Sequence, residues 1–158
     1  MAEWTSVAVQ TVNPGESIVF TENPGRCERG FVRSRPGSGN FLLSGWVPNN
    51  RCGCRCCCQN ERSADYLVDF GANIAIPTGG TVGEIAVAIA LDGGTLAETV
   101  MRVTPAAVEE FSNVSRAANV NVWNNCCQTL TIRNISDQPI LVQEANVIFA
   151  RPDLTLSR

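Results

Sequence analysis

Apolar side chains recur at every second position through much of this sequence, and turn-forming residues interrupt them at short intervals. Tyr66, Val68 and Phe70 alternate with Leu67 and Asp69, Val120 and Val122 with asparagines, and Leu130 and Ile132 with Thr129, Thr131 and Arg133. Val7 and Val9 flank Ala8 in the same way. A period of two sends successive side chains to opposite faces of an extended chain, whereas a helix needs spacings of three and four. The punctuation fits. Asn13-Pro14-Gly15 marks a turn before Ser17-Ile18-Val19-Phe20, and Arg35-Pro36-Gly37-Ser38-Gly39-Asn40 separates two extended stretches that read as a hairpin. Asp92-Gly93-Gly94 is a strong hairpin signal returning through Thr99, Met101 and Val103, and Gly79-Gly80 reads as a hairpin turn too. The spacing predicts about nine or ten short strands, the pattern of an all-β antiparallel sandwich or jelly roll. Only Pro105 to Phe111 is compatible with a helix, and at most a short one. With no linker in view, residues 1–158 are expected to form a single jelly-roll domain carrying a cysteine-rich insert at about 51–60.

Composition removes much of the chemistry such a fold could host. The chain has no histidine, the commonest general base and zinc-ligand nitrogen, and no lysine, so all twelve cationic side chains are arginine. Schiff-base and lysine-nucleophile mechanisms are thereby excluded. No catalytic residue and no cofactor are expected. Gly79-Gly80 and Gly93-Gly94 lack the glycine spacing, following helix and lysine of a phosphate loop. Glu109-Glu110 are adjacent, and neighbours on an extended chain point apart, so they do not make a facing glycosidase pair. Calcium at an assembly axis could use such acids. Trp4, Trp46 and Trp123 are too far apart to form a stacking platform for nucleic acid and read as core or interface anchors. Asn113-Val114-Ser115 and Asn134-Ile135-Ser136 match the glycosylation acceptor pattern.

Net charge is −3, but its distribution is uneven. Arg26 to Arg62 holds seven arginines against two acids, and Ser63 to Ala150 three against nine. The basic segment suits docking on an acidic protein face or on phosphate; equally, these are solvated hairpin residues. The opening MAEWTSVAVQ has neither a basic nor an apolar leader segment, and the run Ile85–Leu91 is too short to span a bilayer, so no membrane partner is expected.

Eight cysteines stand at Cys27, Cys52, Cys54, Cys56, Cys57, Cys58, Cys126 and Cys127. All eight are crosslink candidates: an even count with adjacent pairs suits disulfides, within a chain or between copies. A second reading is zinc or an iron–sulfur cluster, with Cys54 and Cys57 at knuckle spacing and Cys126 and Cys127 completing four thiolates. A third is plain free thiols in a reducing compartment.

The stretch NIAIPTGGTVGEIAVAIALDGGTLAETVMRVTPAAVEEFSNVS, the strand Cys-Cys-Gln-Thr-Leu-Thr-Ile and the closing QPILVQEANVIFAR resemble a group of small proteins of gut Firmicutes and their prophages. The opening TSVAVQTVNPGESIVFTE and the hairpin around Gly37-Ser38-Gly39 match the same group, leaving only the cysteine-rich insert outside it. That group in turn resembles the trimeric jelly-roll heads of the tumour-necrosis-factor and complement type, and the heads that cap collagen-like stalks on spores. The resemblance implies a ten-stranded jelly roll forming a homotrimer, and brings no catalytic residues. The function expected from it is a phage virion piece, a capsid decoration or fibre-like trimer assembled in the bacterial host cytoplasm with a capsid as partner. Alternatives are a spore or cell-surface appendage subunit crosslinked by disulfides, and a glycan-binding module.

Overall fold

Alternation in the sequence becomes alternation in burial. A computed structural model describes residues 1–25, 30–35, 37–46, 63–123 and 127–152. The described strands are β1 (Ala2–Ser6), β2 (Gln10–Val12), β3 (Glu22–Gly25), β4 (Val32–Arg33), β5 (Phe41–Leu43) and β6 (Ser63–Ala75). They continue with β7 (Ile85–Leu91), β8 (Gly94–Thr95), β9 (Met101–Val103), β10 (Ser112–Trp123), β11 (Gln128–Asn134) and β12 (Ile140–Ala150). Along β6, Ala64, Tyr66, Val68, Phe70, Ala72 and Ile74 are buried, while Asp65, Leu67 and Asp69 face water. The strand count exceeds nine or ten because several extended stretches are broken into pieces of two to four residues. The one helical element is a 3-10 turn at Ala97–Thr99. Pro105 to Phe111 is a loop instead, closed by Glu110, whose carboxylate accepts from the Ala106 and Ala107 amides at 2.9 and 3.1 Å.

Two antiparallel sheets form a sandwich. Sheet A runs β10-β6-β12-β1-β3, with β2 also on β12; sheet B runs β4-β5-β11-β7-β8, with β9 also on β7. Between them lies a core in which Trp4, Phe20, Phe41 and Phe149 meet edge-on or tilted, ring centroids 5.0 to 5.6 Å apart. Each such ring, fully buried, stabilises the fold by about 1.5–3 kcal/mol. The hairpin expected across residues 35–40 is present, with Val32 paired to Leu43. So is the one at Asp92-Gly93, where Leu91 pairs with Gly94 and both turn residues have positive φ, 49° and 84°. Its return is interrupted: the Thr99 hydroxyl accepts from the Ile89 amide at 3.0 Å where β8 has ended and β9 not yet begun. Gly79-Gly80 is a turn, closed by Gly80 N–H to the Pro77 carbonyl at 2.9 Å, but not a hairpin. It lies in the arch from β6 in sheet A to β7 in sheet B. Diglycine signals a turn, and only the strands around it decide which sheets it joins.

One apolar pattern was misleading. By simple alternation along the sequence, Ile140 and Val142 would take one face and Val147 and Phe149 the other, two apolar rows that could not both face one core. All four are buried in the chain's own core. A bulge between Gln143 and Asn146, with Glu144 at φ 53°, inserts one extra residue and brings both rows onto the same inner face.

Polar side chains tie the two sheets. After the Asn13–Glu16 turn the chain leaves sheet A and runs beside β11, with Ile18 N–H donating to the Ile132 carbonyl at 2.8 Å. The Gln10 side-chain amide bonds both backbone groups of Val19, each at 2.8 Å. Fully buried Asn134, at the end of β11, donates to the Val12 and Gln138 carbonyls at 2.9 Å each and accepts from the Ser136 amide at 2.8 Å. Its nitrogen is therefore closed to glycosylation, whereas Asn113 is exposed.

Candidate functional site

The described residues that flank the cysteine-bearing segments lie at one end of the sandwich. Segment 47–62, which carries the insert, leaves after Trp46 and returns at Ser63. Ser63 is paired with Trp123, and Leu43 with Gln128, so both anchors of that segment lie beside the β10–β11 connection that holds Cys126 and Cys127. Cys127 is half-buried just before β11. Cys27, Cys52, Cys54, Cys56, Cys57, Cys58 and Cys126 lie outside the described residues, as do Arg26, Arg29, Arg51, Arg55 and Arg62 of the basic segment. Among the described residues no group of three or more carboxylate or thiol side chains is placed to hold a metal ion.

An aromatic cluster supports this end. Tyr66, at the core face of β6, donates its hydroxyl toward the Ser44 carbonyl at 2.7 Å and the Phe31 carbonyl at 3.1 Å, joining sheet A to the β4–β5 hairpin of sheet B. Arg151, only 7% exposed, lies over the Phe31 ring at 4.7 Å and near the Tyr66 ring at 5.2 Å, and donates to the Trp46 carbonyl at 2.9 Å. Trp46 stacks on Phe31, 6.2 Å between centroids and 14° between planes, yet remains 56% exposed. More than half of the Trp46 side chain is thus exposed among the described residues. Nothing in the alternation pattern signalled this arrangement, because Arg151 and Phe31 are far apart in sequence.

The three tryptophans have separated roles. Trp4 is buried in the core against Phe41 and Phe149, while Trp46 and Trp123 are exposed at the cysteine-bearing end. Next to Trp123, Gln128 accepts from its amide at 3.2 Å and donates to Asp92 at 2.8 Å. The adjacent acids Glu109 and Glu110 face different partners: Glu109 accepts from the Thr78 hydroxyl at 2.8 Å, and Glu110 closes its own loop.

No protein-family profile matches the sequence, and no curated protein matches it in sequence. Solved structures do match in shape. The globular domain of the zebrafish complement 1qA protein aligns over 93% of this chain and 94% of its own length, with a TM-score of 0.53 at 8% identity. The fold is a jelly roll of the complement-head type. A Podospora anserina GH26-CBM35 β-(1,4)-mannanase aligns over 96% of this chain but 28% of its own, at TM-score 0.38 and 18% identity. A family 35 carbohydrate-binding module from Clostridium thermocellum aligns over 90% and 98%, at 0.34 and 13%. These last two scores are too low to carry any argument.

Proposed function

We propose that this chain is a non-enzymatic structural protein that works by assembling with copies of itself as a homotrimer, in a phage virion as a capsid decoration or fibre-like piece. The observation that carries this reading is the nearly full-length likeness to a complement globular head, in a chain with no histidine and no lysine. Fold alone does not fix function. Here the buried side chains of Asn134 and Thr99 and the half-buried side chain of Gln10 bond backbone groups within the chain, which suits a rigid building block. Light scattering on the purified chain tests it: the expected mass is three copies of a 17.0 kDa subunit. A monomer at micromolar concentration sinks the assembly reading. Detection of the chain in purified phage particles, and not in spore coats, separates the virion from a spore or cell-surface appendage crosslinked by disulfides.

A glycan-binding module is the second reading, favoured by one observation, the exposed Trp46 side chain stacked on Phe31. An indole face fixed in this way can stack on a sugar ring at little cost in side-chain entropy. A glycan array on which the parent chain binds and Trp46→Ala does not would support it; an array without hits removes it.

A further inference from the structure

Sheet edges expose rows of unpaired amides and carbonyls, and proteins keep them short, bent, charged or covered to prevent pairing with other chains. Most edges here are blunted. β2 has three residues, β3 four with Pro24 among them, β4 and β8 two each and β9 three. β10 is the exception. It runs twelve residues at the rim of sheet A, in unbroken register with β6 from Ser112 opposite Ile74 to Trp123 opposite Ser63. It has no proline, no bulge and a single charge, and that charge, Arg116, is turned aside to the Glu98 carbonyl at 2.5 Å. Among the described residues, the backbone of β10 pairs with β6 alone, apart from the Trp123 amide on Gln128, while β9 and the 3-10 turn at Ala97–Thr99 lie near part of it. In an antiparallel strand bonded on one side, about half the backbone groups point the other way.

We propose that this edge pairs antiparallel with β10 of a second copy across a twofold axis, merging two copies of sheet A into one continuous sheet. The proposal deepens the assembly reading and rests on it, but names its own contact. A strand that pairs with itself must match outward positions to outward positions, and β10 can. With the pair centred on Ala117, Ser115 lies opposite Asn119 of the partner subunit and Asn113 opposite Asn121 of the partner subunit. These are short neutral side chains that hydrogen-bond across a ladder. Arg116 then lies opposite Ala118 of the partner subunit, so no like charges meet. A foreign strand finds no charge pattern here to select it, whereas a copy supplies the same neutral, regular strand by symmetry.

The test compares the parent chain with a Ser115→Lys, Ala117→Lys, Asn119→Lys variant, which brings lysines opposite lysines for pairing centred on Ala117 or on Ala118. Native mass and hydrogen exchange of residues 112–123 are the readouts. The parent is expected to hold an even number of copies, six where the trimer also forms, with slow exchange along β10. The variant should have half that mass and exchange at least tenfold faster there. A parent of three copies with freely exchanging β10 amides overturns edge pairing and leaves the trimer standing. A parent of two copies that becomes one in the variant supports edge pairing and removes the trimer. Should the triple variant fail to fold, Ser115→Lys with Asn119→Glu sets opposite charges face to face and must keep the parent mass; a mass halved by this pair overturns the proposal. Protection of β10 that arises only with a different protein bound overturns it as well.

Discussion

Asn134→Ala is the substitution whose consequence the structure fixes best. The residue is fully buried, and its side chain makes three hydrogen bonds, to the Val12 and Gln138 carbonyls and from the Ser136 amide. Alanine removes all three. A hydrogen bond in such a place contributes about 1 kcal/mol net, and a buried group left without a partner costs about 1–3 kcal/mol. The expected loss is therefore about 3 kcal/mol. For a chain of this length that lowers the midpoint of thermal unfolding by about 6–12 °C, at about 2–4 °C per kcal/mol. Calorimetry and urea unfolding at one fixed protein concentration measure it, since assembly makes the midpoint concentration-dependent. A loss below about 1 kcal/mol would refute the argument that this amide ties β2 to β11.

Gly39→Ala should destabilise by about 1–3 kcal/mol or prevent folding, because the added Cβ would lie 2.5 Å from the Ile18 carbonyl oxygen and 2.8 Å from the Ser17 Cβ; urea unfolding reads this directly. Tyr66→Phe removes the hydroxyl bonds to the Ser44 and Phe31 carbonyls and is expected to cost about 1–3 kcal/mol, measured by the same transition. If the cysteines bridge subunits, the assembly should survive hot detergent without reductant and dissociate with it, each bridge contributing on the order of 2–4 kcal/mol. If they hold zinc or iron instead, elemental analysis should find the metal in stoichiometric amount and a chelator should loosen the assembly.

Strand positions were legible because burial on one face writes itself into the sequence as period two. β6 can be read residue by residue in this way, whereas in β11 Thr131 is buried between Leu130 and Ile132. What resisted reading depended on groups far apart in the chain. The bulge at Glu144 hid the fact that Ile140, Val142, Val147 and Phe149 share one face, since a single inserted residue inverts the parity of everything beyond it. The turn at Gly79-Gly80 looked like the one at Gly93-Gly94 because local chemistry sets a turn's shape and not its destination. The cysteine spacing marked a concentration of unusual residues, and the pairing of Leu43 with Gln128 and of Ser63 with Trp123 brings their anchors together. The Arg151–Phe31–Trp46 cluster had no local signature at all.

β12 occupies the middle of sheet A, bonded to β6 on one side and to both β1 and β2 on the other, with Ala2 opposite Phe149. On the ribosome it follows every other described strand. Until it emerges, β1 and β2 lack their β12 partner and β6 has one flank open. The sheet cannot close progressively from its N-terminal strands; it closes late, around a strand inserted between elements already made. Contacts this distant in sequence slow folding toward milliseconds to seconds. During that interval the nascent chain displays long unpaired edges of the kind that the folded chain keeps chiefly at β10.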